Sequence, residues 1–408
     1  MERHVPPPVH RRAAALLAFL AAAAAGPAAA VDRHAVSLLA DPVFAAAADR
    51  GLDHLYDMEY AAAEREFGRI AARWPGHPVG PFLDALPDWW RILADPADTS
   101  RDRRFLAAME TVVERADARL DRRRGDVDGR FFKGAALAYR GRLRSLRGDL
   151  VAAALDCRRA LALIREVAAE DPGNADLWFG LGLFDYFADV LPLRHPVLRP
   201  VAMLLPEAKK ERGVRRLEQV VARGRFARTE AAFFLLQIEM FFEDDYEGSL
   251  RWVAWLRREH PGNAVFHELE GRLYARWGRR DRARAVFRRI LERYEAGAPG
   301  YTLAQAERSH YVIAVCDMRD GDHRSALGHL VRLEGLAPPR GAERPLRTLA
   351  TLRQGMAFDA LGERGRAVSR YRQVLAREEV AGSHERAREH LRSPFRGVDD
   401  EPEAEPAS

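Results

Sequence analysis

The sequence predicts an all-α body assembled from antiparallel helix pairs, and three observations carry that prediction. Apolar residues recur at helical spacing along most of the chain. No stretch of strand length alternates apolar with polar residues. Small residues return at a fixed distance from aromatic ones, in frames of about 34 residues.

The frame is clearest from Ala264, where Gly271, Tyr274, Gly278, Ala283 and Phe287 fall at positions 8, 11, 15, 20 and 24. Each type has a physical task. Gly271 and Ala283 sit where two helices touch, because only a small side chain lets the backbones close, and the aromatic residues fill the space around that contact. The frame recurs from Phe44 (Gly51, Tyr60, Ala63, Phe67, Pro75) and from Glu230 (Phe233, Leu236, Tyr246, Pro261). It recurs again from Glu307 (Ile313, Ala314, Gly321, Ala326, Leu330, Pro338) and from Arg347 or Thr348 (Phe358, Gly362, Ala367, Tyr371). The prolines near the end of a frame stop its second helix. The middle is less regular. Gly134 and the Trp178/Gly182 stretch open helices longer than the standard, and residues 78–122 add two helices around a turn marked by "DPADTS". Trp89 and Trp90 cannot share one helix face, so one is expected inside and the other exposed.

These residues resemble the tetratricopeptide repeat (TPR). The segment "DLWFGLGLFDYFADVLP" (176–192), with "WWRIL" (89–93) and "GRLRSLRGD" (141–149), resembles the tetratricopeptide repeat protein 39 family and uncharacterised bacterial relatives. The resemblance implies a right-handed superhelix of antiparallel helix pairs, a TPR-like α-solenoid. It brings no catalytic residue. It also implies a groove lined by first helices. Phe234, Ile238, Phe241, Phe242, Arg272, Arg276, Tyr311 and Arg319 take the groove positions, beside Glu268, Val315 and Met318. Gly51, Ala63, Gly134, Gly182, Gly271, Ala283, Ala326 and Ala367 are the expected packing contacts.

Residues 1–30 read as a secretory signal: Arg3, Arg11 and Arg12 precede an apolar run at 13–25, then Gly26-Pro27 and Ala28–Ala30. Cleavage is expected after Ala30, which places the body in the periplasm; an uncleaved membrane anchor is the alternative. The helical domain is expected over 31–393, irregular across 78–225 and regular across 230–380. Residues 394–408 form an acidic tail without a large apolar anchor, expected to be disordered. Loss of 1–30 lowers the formal charge from +5 to +3, too little on a surface this large to attract nucleic acid globally. The arginine-dense stretch 271–294 is read as a solvated face interleaved with Asp281 and Glu292.

No nucleophile elbow, H-E-x-x-H, C-x-x-C or P-loop pattern is present, so no catalytic residue, metal or cofactor is assigned. Gly180-x-Gly182 follows no strand and is a packing feature. "CDMRDGDH" (316–323) falls on a turn, where Gly and Asp serve the backbone. Cys157 and Cys316 lie several repeats apart and are expected to be buried free thiols. The insert 187–206 carries four prolines among aliphatics and is followed by Lys209, Lys210, Arg212, Arg215 and Arg216. It is read either as a buried connection or as an apolar ledge. The reading of the whole is an exported, non-enzymatic scaffold binding a protein or peptide in its groove. A binder of lipid, another apolar ligand or a membrane surface through 187–206 is the alternative.

Overall fold

The computed structural model describes residues 37–194, 207–336 and 344–397. The expected signal peptide, residues 195–206 of the insert and the tail from residue 398 lie outside the described residues. Among the described residues all regular structure is helical, in seventeen α-helices. They are α1 (Pro42–Tyr56), α2 (Tyr60–Arg73), α3 (Val79–Ala94), α4 (Asp102–Arg122), α5 (Val127–Leu146) and α6 (Leu150–Glu170). Next come α7 (Trp178–Arg194), α8 (Lys210–Arg223), α9 (Arg228–Phe241), α10 (Tyr246–Glu259), α11 (Ala264–Arg276) and α12 (Arg280–Glu295). The last are α13 (Leu303–Arg319), α14 (His323–Gly335), α15 (Pro345–Ala360), α16 (Arg364–Leu375) and α17 (Ser383–Arg392).

The ends of these helices follow from local chemistry. The Asp41 carboxylate accepts from the Val43 and Phe44 amides and Pro42 opens α1, where a missing N–H costs nothing. Asn263 caps α11 in the same way, and Thr302 with Gln305 forms a capping box on α13. Between the helices of a pair the chain must turn through the left-handed region, and glycine supplies it: Gly278 has φ 70° and Gly321 has φ 80°.

Helices pack on their sequence neighbours, as antiparallel pairs: α1 with α2, α5 with α6, α7 with α8, α9 with α10, α11 with α12, α13 with α14, α15 with α16. This is a TPR-like array of helix hairpins. The pairs close on glycine. A Cβ added at Gly51 would stand 2.3 Å from the Phe67 ring, at Gly271 2.7 Å from Phe287, and at Gly355 2.5 Å from Tyr371. Gly355 belongs to the frame at 347–348, although the sequence pattern does not single it out. Ala63, Ala283, Ala326 and Ala367 have no solvent exposure. In the longer middle pairs Gly134 faces Ile164 and the Ala160 carbonyl, and Gly182 faces Leu217 and the Gly213 carbonyl.

The described chain divides into two compact units. The N-terminal unit takes residues up to Ile92 and 99–261; the C-terminal unit takes 93–98 and everything from Gly262. Two expectations need correction within the N-terminal unit. Trp89 and Trp90 are both buried, at 2% and 0% exposed. Trp89 packs on Phe105 and Tyr139, while Trp90 packs on Tyr56 and Phe233, so α3 is covered on two faces. The insert expected over 187–206 does not begin at Phe187; α7 continues to Arg194 with Pro192 inside its last turns. Cys157 and Cys316 are buried free thiols. Among the described residues no helix is long and apolar enough to cross a membrane.

Candidate functional site

In each unit the first helices bring charged and aromatic side chains together. In the N-terminal unit α5 carries Tyr139 and Arg142 three residues apart, on one helix face. The Arg142 guanidinium lies 4.6 Å from the Trp89 ring centre, 5.2 Å from Tyr139 and 4.9 Å from Phe234. Its Nη1 donates to the Glu230 carboxylate at 3.2 Å, and the Tyr139 hydroxyl donates to the same carboxylate at 3.5 Å. Glu230, on the first turn of α9, is 4% exposed. Beside this group Tyr56 packs on Trp90 and His260, and His260 Nε2 is 2.8 Å from Thr229 Oγ1. Burial pushes the Tyr139 phenol above its ordinary pKa, with Glu230 adding to the rise, and burial lowers that of His260. The cluster therefore holds one guanidinium and one carboxyl group among aromatic rings.

In the C-terminal unit Glu307 of α13 is 1% exposed and bound by Arg344 and by Arg347, the latter at 2.7 Å. Arg344 also binds Asp95 at 3.0 Å. Arg308, one residue on, is 2.9 Å from Glu268 and donates with Gln305 to the Ala94 carbonyl, each at 2.8 Å. Buried carboxylates clamped between guanidinium groups hold helices in register; removing one partner would leave an unpaired buried charge.

The residues expected to face an open groove are placed differently. Phe234, Ile238 and Phe242 are buried, as are Tyr311, Val315 and Met318. Phe234 lies under Arg142 and against Phe179, and Phe242 lies against Tyr186 and Phe187 with Arg194 over it. The first-helix face of α9 is thus covered by α5 and α7 and is core, not open surface. Arg272 and Glu268 are buried one turn apart, 3.9 Å from each other. Phe241, Arg276 and Arg319 keep intermediate exposure. The acids of "CDMRDGDH" have protein partners: Asp317 accepts from Ser325, Asp320 from Arg280 and Arg284, and Asp322 caps α14. Sequence reasoning missed Arg142, Glu230, Glu307 and Arg344. Arg142 and Glu230 are 88 residues apart, and Arg344 and Asp95 are 249 apart, so no local spacing links them.

No family model matches the sequence, and no curated protein matches it. Solved structures do match in outline. Yeast Tom70 aligns over 86% of this chain and 88% of its own at 9% identity, with a TM-score of 0.40. A human IFIT1 dimer with PPP-AAAA aligns over 85% and 74% at 12% identity, TM-score 0.41. The P58(IPK) TPR domain aligns over 86% and 97% at 16% identity, TM-score 0.25. At scores this low the superpositions carry no argument, and the TPR-like fold rests on the helix pairs and their glycine contacts.

Proposed function

We propose that the chain is a non-enzymatic helical-repeat scaffold that holds a protein or peptide partner in the bacterial cell envelope. The observation that supports this most is the condition of its buried acids. Asp88, Asp156, Asp185, Glu230, Glu268 and Glu307 are each bound to arginine. An acid–base catalyst needs a carboxyl that faces a reacting atom. A carboxylate clamped by guanidinium is instead a brace. Braces stiffen a surface and lower the ordering cost of binding.

The contacts of this proposal are Arg276 and Arg319, both of intermediate exposure, in the C-terminal unit. Two guanidinium groups suit a peptide with acidic residues. The test is affinity capture from envelope extract with the full chain. One protein is expected to be enriched by the wild type and recovered at least about tenfold less by Arg276→Glu/Arg319→Glu, a loss of about 1.4 kcal/mol. Equal recovery removes these contacts from the proposal. Location is tested separately: a reporter active only outside the cytoplasm, fused after residue 30 or residue 60, is expected to be active, and silence overturns export.

A further inference from the structure

The described chain ends anchored on the C-terminal unit. Beyond α17, Phe395 is buried, and its amide donates to the Asp359 carboxylate at 3.0 Å. That carboxylate has no exposure and also accepts from the Tyr371 hydroxyl at 2.9 Å and from Arg364 at 2.9 Å. The Phe395 ring meets His390 at 5.7 Å and His323 at 6.4 Å, both in edge-on geometry. Two residues later, a Cβ built on Gly397 would stand 3.5 Å from His323 Nε2. The backbone is thus held against the first residue of α14 where the sequence turns acidic. Asp399, Asp400, Glu401, Glu403 and Glu405 follow, with no basic residue in 398–408. The tail expected over 394–408 therefore does carry a large apolar anchor, at its head.

Arg319 closes α13 four residues before His323, so even an extended chain keeps their Cα atoms within about 14 Å. From Gly397 an extended chain spans about 7 Å to Asp399 and about 28 Å to Glu405. The acids are tethered within reach of Arg319. The carboxylates already on that loop have partners of their own: Asp320 binds Arg280 and Arg284, and Asp322 caps α14. A short tether holds what it carries at an effective concentration of about 1 mM, which makes even a weak ionic contact competitive. We propose that the acidic run from Asp399 to Glu405, tethered by Phe395, occupies the Arg319 contact in the free chain and competes there with an acidic partner. This rests on the reading of Arg319 as a partner contact.

The probe is a labelled synthetic peptide of residues 398–408, followed by fluorescence anisotropy at about 50 mM salt, where exposed charges are weakly screened. It is added to the wild-type full chain and to a full chain with a neutral tail, Asp399→Asn/Asp400→Asn/Glu401→Gln/Glu403→Gln/Glu405→Gln. The neutral-tail chain is expected to bind the peptide at least about fivefold more tightly, because a tethered competitor near millimolar concentration has been removed. Arg319→Glu in the neutral-tail chain is expected to remove that binding. Phe395→Ala with the acids kept loosens the tether and is expected to raise peptide affinity part of the way. Should Phe395→Ala fail to fold, the neutral-tail comparison decides. Equal affinity for the wild-type and neutral-tail chains overturns the competition, and binding that survives Arg319→Glu overturns the seat. The peptide needs no partner, so the result is separate from the capture experiment. Capture lost in Arg276→Glu/Arg319→Glu without a peptide effect keeps the partner contact and removes the tail from it. A peptide effect with equal capture removes the partner contact, and with it the competition for that partner.

Discussion

Glu239, near the end of α9, is a buried acid that arginine does not dominate. Trp252 Nε1 donates to one of its oxygens at 3.0 Å, and Arg251 stands 3.5 Å off. Burial pushes its pKa up to about 7, with Asp245 and Glu218 adding to the rise against Trp252 and Arg251. The folded state therefore holds a proton that the unfolded chain releases near 4.5. A raised folded pKa gives stability that is complete below the unfolded value and is lost as pH rises through the folded one. Here the loss runs from about pH 4.5 to about pH 7. Glu239→Gln, an isostere of the protonated acid, is expected to match the wild type at about pH 4.5 and exceed it above about pH 8 by on the order of 2 kcal/mol. Denaturant melts at both pH values read this; a difference that does not change with pH means Glu239 is not the titrating group. Nothing in the sequence marks Glu239, because its environment is made by Trp252 and Arg251 on the next helix. The same blindness puts one of Trp89 and Trp90 outside, where both are buried. A helical wheel shows which face a residue takes and not how many faces are covered.

At the scale of the helix pair, glycines fall into two physical classes. Gly271 leaves no room for a side chain, since an added Cβ would meet the Phe287 ring. Gly68 in α2 and Gly328 in α14 have no atom within 4 Å of that position. Overpacking costs about 1–3 kcal/mol, whereas removing glycine from an open helical site gains about 0.5–1 kcal/mol. Gly271→Ala is therefore expected to lower the unfolding midpoint, and Gly68→Ala and Gly328→Ala to raise it; the same sign at all three sites would mean the ring contact does not set the pair geometry. This much of the fold was legible, because the contact lies within one hairpin and repeats at a fixed spacing: Gly51 finds Phe67 as Gly271 finds Phe287. The Arg142–Glu230 and Arg344–Asp95 pairs were not legible. They join helices far apart in sequence, and the positions that suggested an open groove, Phe234 and Ile238, are buried.

For the whole chain, the excess of arginine poses a question that pairing answers. The formal charge is +5 and the sequence pI about 9.4, and the stretch from Gly271 to Tyr294 is dense in arginine. Strong binding to a nucleic-acid backbone needs guanidinium groups that are free to displace counterions from several phosphates at once. Here Arg284 contacts Asp281, Asp317 and Asp320, and Arg280 contacts Asp320. Arg279, Arg282 and Arg293 lie over the rings of Trp277, Tyr274 and Tyr301. Arginines tied to carboxylates cannot release counterions without first breaking those pairs. A single-stranded oligonucleotide is therefore expected to bind no more tightly than about 10 µM at about 150 mM salt, within the range of non-specific attraction. Fluorescence anisotropy across roughly 50–200 mM salt would check this. A dissociation constant below about 1 µM at the higher salt, with a steep salt slope, would mean that the pairs open for phosphate and that the partner is nucleic acid. Asp320→Asn frees Arg280, leaves Arg284 on Asp281 and Asp317, and is expected to raise oligonucleotide affinity about twofold at about 50 mM salt. An unchanged affinity would show that the ion pairs are not what holds these arginines back.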